Sequence, residues 1–136
     1  MKTLYFDCFA GISGDMFLGA MLDLGLDREQ FLEKLKKIPL TGYEINIREV
    51  EKKHTRATSV EITTSEHHPH RGLHDICGII DSSDLDLHLQ EKIKNAFRLL
   101  AEAEAKVHGC TPEDIHFHEV GAVDSIIDIS GAFILV

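Results

Sequence analysis

Between Leu85 and His108 the chain runs without a glycine or proline, and apolar residues recur at spacings of three and four: Leu89, Ile93, Ala96, Phe97, Leu100, Ala103 and Val107. That period writes one apolar stripe along a long helix, which needs a second layer to cover it. Gly109 supplies its stop, and Thr111-Pro112-Glu113 restarts a turn with a capping residue ahead of a proline. A helix this long in 136 residues, 43% of them hydrophobic, fixes the class as a single packed domain rather than a disordered chain.

The remaining elements follow from shorter patterns. Thr3 to Phe9 is almost wholly apolar, as in a first strand covered on both faces. Gly11 to Asp15 interrupts it, and Met16 to Leu24 then reads as a helix, with Ser13 as its cap and Gly25 as its stop. Gly19 and Ala20 keep one side of that helix thin enough to sit close against a sheet. A second helix spans Arg28 to Lys37, with Asp27 as cap and Phe31, Leu32, Leu35 and Ile38 as its apolar stripe. Tyr43, Ile45 and Ile47, then Thr58, Val60, Ile62 and Thr64, alternate with polar residues, predicting antiparallel half-buried strands joined through Lys52-Lys53-His54. A polar histidine-rich loop, Ser65 to Gly72, precedes a short helix at Leu73 to Ile80, and Val123 onward is helical again. The expected fold is α/β, or mixed α+β: a small sheet with a buried first strand, flanked by helices. The apolar run Gly131 to Val136 carries no terminator, the mark of one N-terminal domain (residues 1–136) cut from a longer protein.

Charge excludes whole classes of partner. With 14 Lys and Arg against 23 Asp and Glu, a net charge of −9 is wrong for a phosphate backbone, so nucleic acid is not expected. No run approaches the ~18 apolar residues of a membrane span, and nothing resembles a signal peptide. Three scattered cysteines, Cys8, Cys77 and Cys110, with no CxxC, fit a reducing cytoplasm.

Three constellations can carry chemistry. Asp7 closes the apolar run ahead of Gly11, Ser13, Gly14 and Asp15, and open α/β sheets place ligands at such a strand-to-helix turn. Free N–H groups at a helix start favour an anion such as phosphate; the alternative is that the glycines only shape a turn and Asp15 caps the helix. An acid inside an apolar strand is costly unless paired or liganding, which singles out Asp7. Second, His116 and His118 on an extended segment point to one face, about 6.6 Å apart at ~3.3 Å per residue. Asp124 and Asp128 share one face of the following helix, so with Glu119 the block offers a mixed nitrogen and oxygen set for Zn, Ni, Co or Mn. The competing structural explanation has Asp124 capping the helix, Asp128 in water and the histidines bonded locally. Third, His67, His68 and His70 crowd a polar loop that could capture a divalent ion loosely, with His74 a turn beyond and Cys8 a possible soft ligand elsewhere. His54, His88 and His108 read as structural.

Taken together these motifs become specific. Leu4 to Met16 (LYFDCFAGISGDM) with Leu18-Gly19-Ala20, then His68 to Ile76 (HPHRGLHDI), then His116 to Asp128, resemble in order the hallmarks of the LarC nickel insertion protein family. The resemblance covers the N-terminal part of a family whose members run to several hundred residues. It implies an enzyme, a nickel chelatase or cyclometallase of the lyase class, that builds the nickel-pincer cofactor. Ni(II) enters a pyridinium bis-thiocarboxylic acid mononucleotide with formation of carbon–nickel and sulfur–nickel bonds, in a CTP-dependent step. The CTP, with Mg or Mn, is expected on a C-terminal region that this chain lacks. Implied partners are the nickel-free mononucleotide, the C-terminal half of the same protein and the pincer-dependent enzyme. A mechanism consistent with the residues has His116, His118 and one of Glu119, Asp124 or Asp128 on nickel, and the Gly11–Gly14 amides on the phosphate. Asp7 or Asp15 then acts as base, and His68 and His70 assist capture. A non-catalytic nickel carrier and a metal-dependent phosphohydrolase are the alternative classes.

Overall fold

A computed structural model describes residues 3–65, 71–117 and 121–136. Among these residues five α-helices, two small sheets and one 3-10 turn (Pro112–Asp114) follow one another: α1 (Gly14–Asp23), α2 (Arg28–Lys36), β1 (Tyr43–Lys52), β2 (Thr55–Thr64), β3 (Arg71–Gly72), α3 (Leu73–Asp81), α4 (Leu87–His108), β4 (His116–Phe117) and α5 (Val123–Leu135). The class is mixed α/β, as the patterns predict. No helix among the described residues is long and apolar enough to cross a membrane.

Local signals decide the element ends. Asp27 caps α2 by accepting from the N–H groups of Glu29 (2.9 Å) and Gln30 (3.1 Å). Asp86 does the same for α4 through Leu89 N–H (2.9 Å), and Gly109 ends that helix at φ +68°. β1 and β2 pair antiparallel from Tyr43↔Thr64 to Lys52↔Thr55, so the turn is only Lys53-His54. Both turn residues have positive φ (51° and 63°), the twist that a two-residue hairpin requires and that non-glycine residues resist.

α5 is the centre of the core. Ile126 and Ile127 are fully buried on it, with Leu18 of α1, Phe31 and Leu35 of α2, and Ile93 and Phe97 of α4 in the same cluster. α1 lies on β2 where a side chain on Gly19 would overlap the Thr58 carbonyl oxygen, and Thr58 Oγ1 donates to Asp23 at 2.9 Å. The thin face expected at Gly19 is therefore used. On α4 two polar side chains are buried with partners. Gln90 Nε2 donates to the carbonyls of Ser83 and Leu85 (3.0 Å each), and Lys94 Nζ meets Asp81 and Glu91 at 2.6 Å.

Two expectations need correction. Thr3 to Phe9 forms no ladder with any described strand and is exposed from end to end, so the sheet has no buried first strand. A strand needs a neighbour's backbone, and the flank of β2 is taken by α1 instead. On α4 the buried row is Leu89, Ile93, Phe97, Ala101 and Ala105, a strict step of four. Leu100, Ala103 and Val107 face solvent, because the buried row turns about 40° around the axis at each step of four while the expected stripe runs nearly straight, and the packing of α3 and α5 follows the row.

Two stability outcomes follow. Lys53→Asn with His54→Gly should raise stability by about 1 kcal/mol in urea melts, since the turn then has residues that tolerate positive φ. Gly19→Ala should cost about 2 kcal/mol in the same assay, because the new methyl meets backbone that cannot step aside.

Candidate functional site

The site is assembled where α1, α5 and β2 converge. Gly11, at φ +85°, donates its N–H to the Cys8 carbonyl (2.9 Å) and turns the chain into α1. Ser13 is the capping position, as expected, but its hydroxyl donates to the Asp15 carboxylate and bonds no helical N–H. Asp15 Oδ1 also accepts from Met16 N–H at 2.9 Å, so the acid is held at the exposed mouth of α1.

From the other side α5 presents Asp124 and Asp128, four residues apart and both half-buried. Asp124 Oδ1 accepts from Ser125 N–H (2.8 Å) in the first turn, while the capping position belongs to Ala122. Asp128 is pressed against α1, and a Cβ on Gly14 would overlap its carboxyl group. The glycine of the loop is thus a contact requirement of this acid as well as a turn residue. Asp128 Oδ1 is buried with no hydrogen-bond partner among the described residues. Burial first, then the charges of Asp15 and Asp124, push its carboxyl up to about 6 from an ordinary 3.8.

Asp15, Asp124 and Asp128 line a recess of about 440 Å³ with Arg48 of β1 and Ser59 and Glu61 of β2. Arg48 and Glu61 pair at 3.4 Å. Four carboxylates against one guanidinium make the recess a place for a cation rather than a bare anion. Arg48 and Glu61 escaped the sequence reading; their only signal was polar alternation on β1 and β2, which any solvated strand shows.

The other expected residues are not gathered there. Asp7 sits on the exposed segment ahead of α1, so the cost of an acid in a buried strand does not arise. His116 is exposed on β4, its neighbour Phe117 is buried, and Gly72 is its ladder partner. A side chain on Gly72 would stand 3.7 Å from Asp75 Oδ2 and 3.8 Å from His116 Nδ1, which ties His116 to the start of α3. Arg71 donates to the Gly121 carbonyl at 2.8 Å, holding the ribbon against the approach to α5. Among the described residues no three His, Cys, Asp or Glu side chains close around a common point as a metal group. His118, Glu119, His68 and His70, with Glu66 and His67, lie outside the described residues. Cys8 is exposed and has no thiol partner.

Asp128 gives the site a measurable signature. A carboxyl whose pKa is higher in the folded chain holds its proton more tightly there, so its contribution falls as pH rises from about 4 to about 6 and stays unfavourable above. Asp128→Asn removes that penalty. The variant should gain about 1 kcal/mol over the parent at pH 8, after allowance for solvent screening, and nothing at pH 4, in paired thermal melts.

Residues 4–136 match the family model described as nickel insertion protein. A relative from Dictyoglomus thermophilum is 50% identical over 99% of this chain, and one from Geotalea daltonii 48% identical over 98%; both carry nickel insertion in their names. A relative from Desulfitobacterium hafniense, 48% identical over 98% of the chain, is called pyridinium-3,5-bisthiocarboxylic acid mononucleotide nickel insertion protein. The chain spans about a third of the length of these curated relatives (35%, 35% and 33%). No solved structure matches it. Three hallmarks in order, and a match along nearly the whole chain, place this protein in the nickel insertion protein family.

Proposed function

We propose that the chain is the nickel-handling part of an enzyme that inserts nickel into pyridinium-3,5-bisthiocarboxylic acid mononucleotide, the molecule in the name of the Desulfitobacterium relative. The observation that carries this reading is the orphaned Asp128 oxygen beside Asp15 and Asp124. A buried carboxylate without a donor is destabilising by itself, and a divalent ion is the partner that relieves it.

Asp124 and Asp128 supply oxygen ligands in the recess; His116, which the fold leaves outside it, joins them only when nickel draws it in together with His118 and Glu119, and the imidazole nitrogens favour nickel over magnesium. His68 and His70, in the histidine-rich segment, deliver the ion. The amides of Ser13 and Gly14 at the start of α1 hold the nucleotide phosphate, with the bound cation offsetting the carboxylates around it; the Gly11 N–H, also expected there, is spent on the Cys8 carbonyl and only shapes the turn. Forming a carbon–nickel bond displaces a ring proton, and Asp15 or Asp7 accepts it. CTP, with Mg or Mn, is consumed on the part of the family chain outside these 136 residues, and the reaction belongs to the cytoplasm.

Nickel titration by calorimetry should find about one tight site, weakening as pH falls through ~6.5, where imidazole protonates. Asp124→Asn with Asp128→Asn should weaken it at least tenfold, as should His116→Ala with His118→Ala. His67→Ala, His68→Ala and His70→Ala together should mainly slow uptake. Tight binding lost only in the loop variant would replace this reading with that of a nickel carrier. The 136 residues alone, given CTP, nickel and the mononucleotide, should yield no nickel adduct by mass spectrometry.

A further inference from the structure

The segment ahead of α1 has the composition of a strand and none of its partners. Among the described residues, the backbone groups of Thr3 to Asp7 make no hydrogen bond. One face is partly covered, since the Phe6 ring stacks on Phe17 of α1 with centroids 5.0 Å apart. The opposite face is bare: Tyr5 is 83% and Phe9 91% exposed, with Ile12 and Met16 exposed just beyond. The free edge ends at the turn through Phe9 and Ala10, where the Cys8 carbonyl accepts from Gly11 N–H, and an unpaired apolar backbone run flanked by aromatic rings is an adhesive surface.

We propose that Leu4 to Cys8, ending at the turn that carries Phe9, is a docking strand whose occupant is the part of the family chain outside these 136 residues. That part pairs with the backbone of the segment and lays an apolar layer over Tyr5 and Phe9. The chain spans about a third of its relatives' length, so roughly two thirds of a family chain is available to do this. A tethered partner avoids the translational and rotational cost of association, which a short strand cannot offset between separate molecules. Two copies joined only along so short a segment would fall short of the ~1,200 Å² typical of a stable interface. The pairing mode is strand addition, with hydrogen bonds giving affinity and alternate side chains giving register.

Hydrogen exchange in metal-free buffer tests this apart from any role of nickel. In the isolated chain the amides of Tyr5 to Phe9 should exchange as unstructured peptide. In a fusion where the chain replaces the aligned third of the Dictyoglomus thermophilum relative, they should slow at least a hundredfold. Tyr5→Lys with Phe9→Lys should restore fast exchange there while α4 amides stay protected. Fast exchange in the unsubstituted fusion, with α4 protected, overturns the proposal. Protection in the isolated chain accompanied by a doubled mass in light scattering also overturns it, and assigns the segment to a second copy. If the fusion does not fold, the remaining two thirds of the relative is added as a separate polypeptide; failure of that mixture to slow exchange is equally decisive against it.

Discussion

The close approach of α1 to its neighbours is the constraint on which the rest depends. α1 touches β2 through Gly19 and α5 through Gly14, two places where a single methyl would overlap a carbonyl or a carboxyl. With α1 seated, Leu18 and Leu22 enter the cluster that also holds Phe31, Phe97, Ile126 and Ile127. Gly131 on α5 completes the fit, since a Cβ there would stand 3.0 Å from Leu18 and 3.3 Å from the Phe31 ring. Close-packed interiors transmit such displacements rather than absorbing them. Moving α1 outward would open the core and pull Asp15 away from Asp124 and Asp128 together.

The same packing creates an electrostatic liability. Placing Asp128 against the start of α1 removes one of its oxygens from water and leaves it without a donor, with two further acids nearby. A helix start attracts negative charge, yet here burial and like charges outweigh it, because the carboxyl ends well above its ordinary range. Contrast Lys94, also buried, whose ammonium meets Asp81 and Glu91 at 2.6 Å. One buried charge is paired and holds α3 to α4; the other is left open at a recess rich in carboxylates. This incompletely satisfied acid is the group on which the proposed cation site rests.

Apolar side chains stay uncovered at two places on the surface. α5, α2 and one side of α4 close a core, whereas Tyr5, Phe9 and the outer α4 residues Leu99 and Val107 remain in water. The matched relatives are nearly three times longer than this chain, and docking on the strand proposed above would cover the part of this surface around Tyr5 and Phe9.

Much of this was legible in the residues alone. Asp27, Asp86 and Gly109 act locally, so the ends of α2 and α4 needed no tertiary knowledge. Strict alternation fixed the hairpin, and the i, i+4 spacing put Asp124 and Asp128 on one face. Ordered motifs identified the family. Composition could not say whether an apolar segment finds a neighbour, so Thr3 to Phe9 read as a strand although no described strand pairs with it. Nor could the heptad-like spacing on α4 decide which row is buried, because coverage by α3 and α5 decides that. The junction of Asp15, Asp128, Arg48 and Glu61 draws on residues more than a hundred positions apart. Local sequence sets the capping, the period and the residue types; only packing brings distant charges together and determines which of them lose their water.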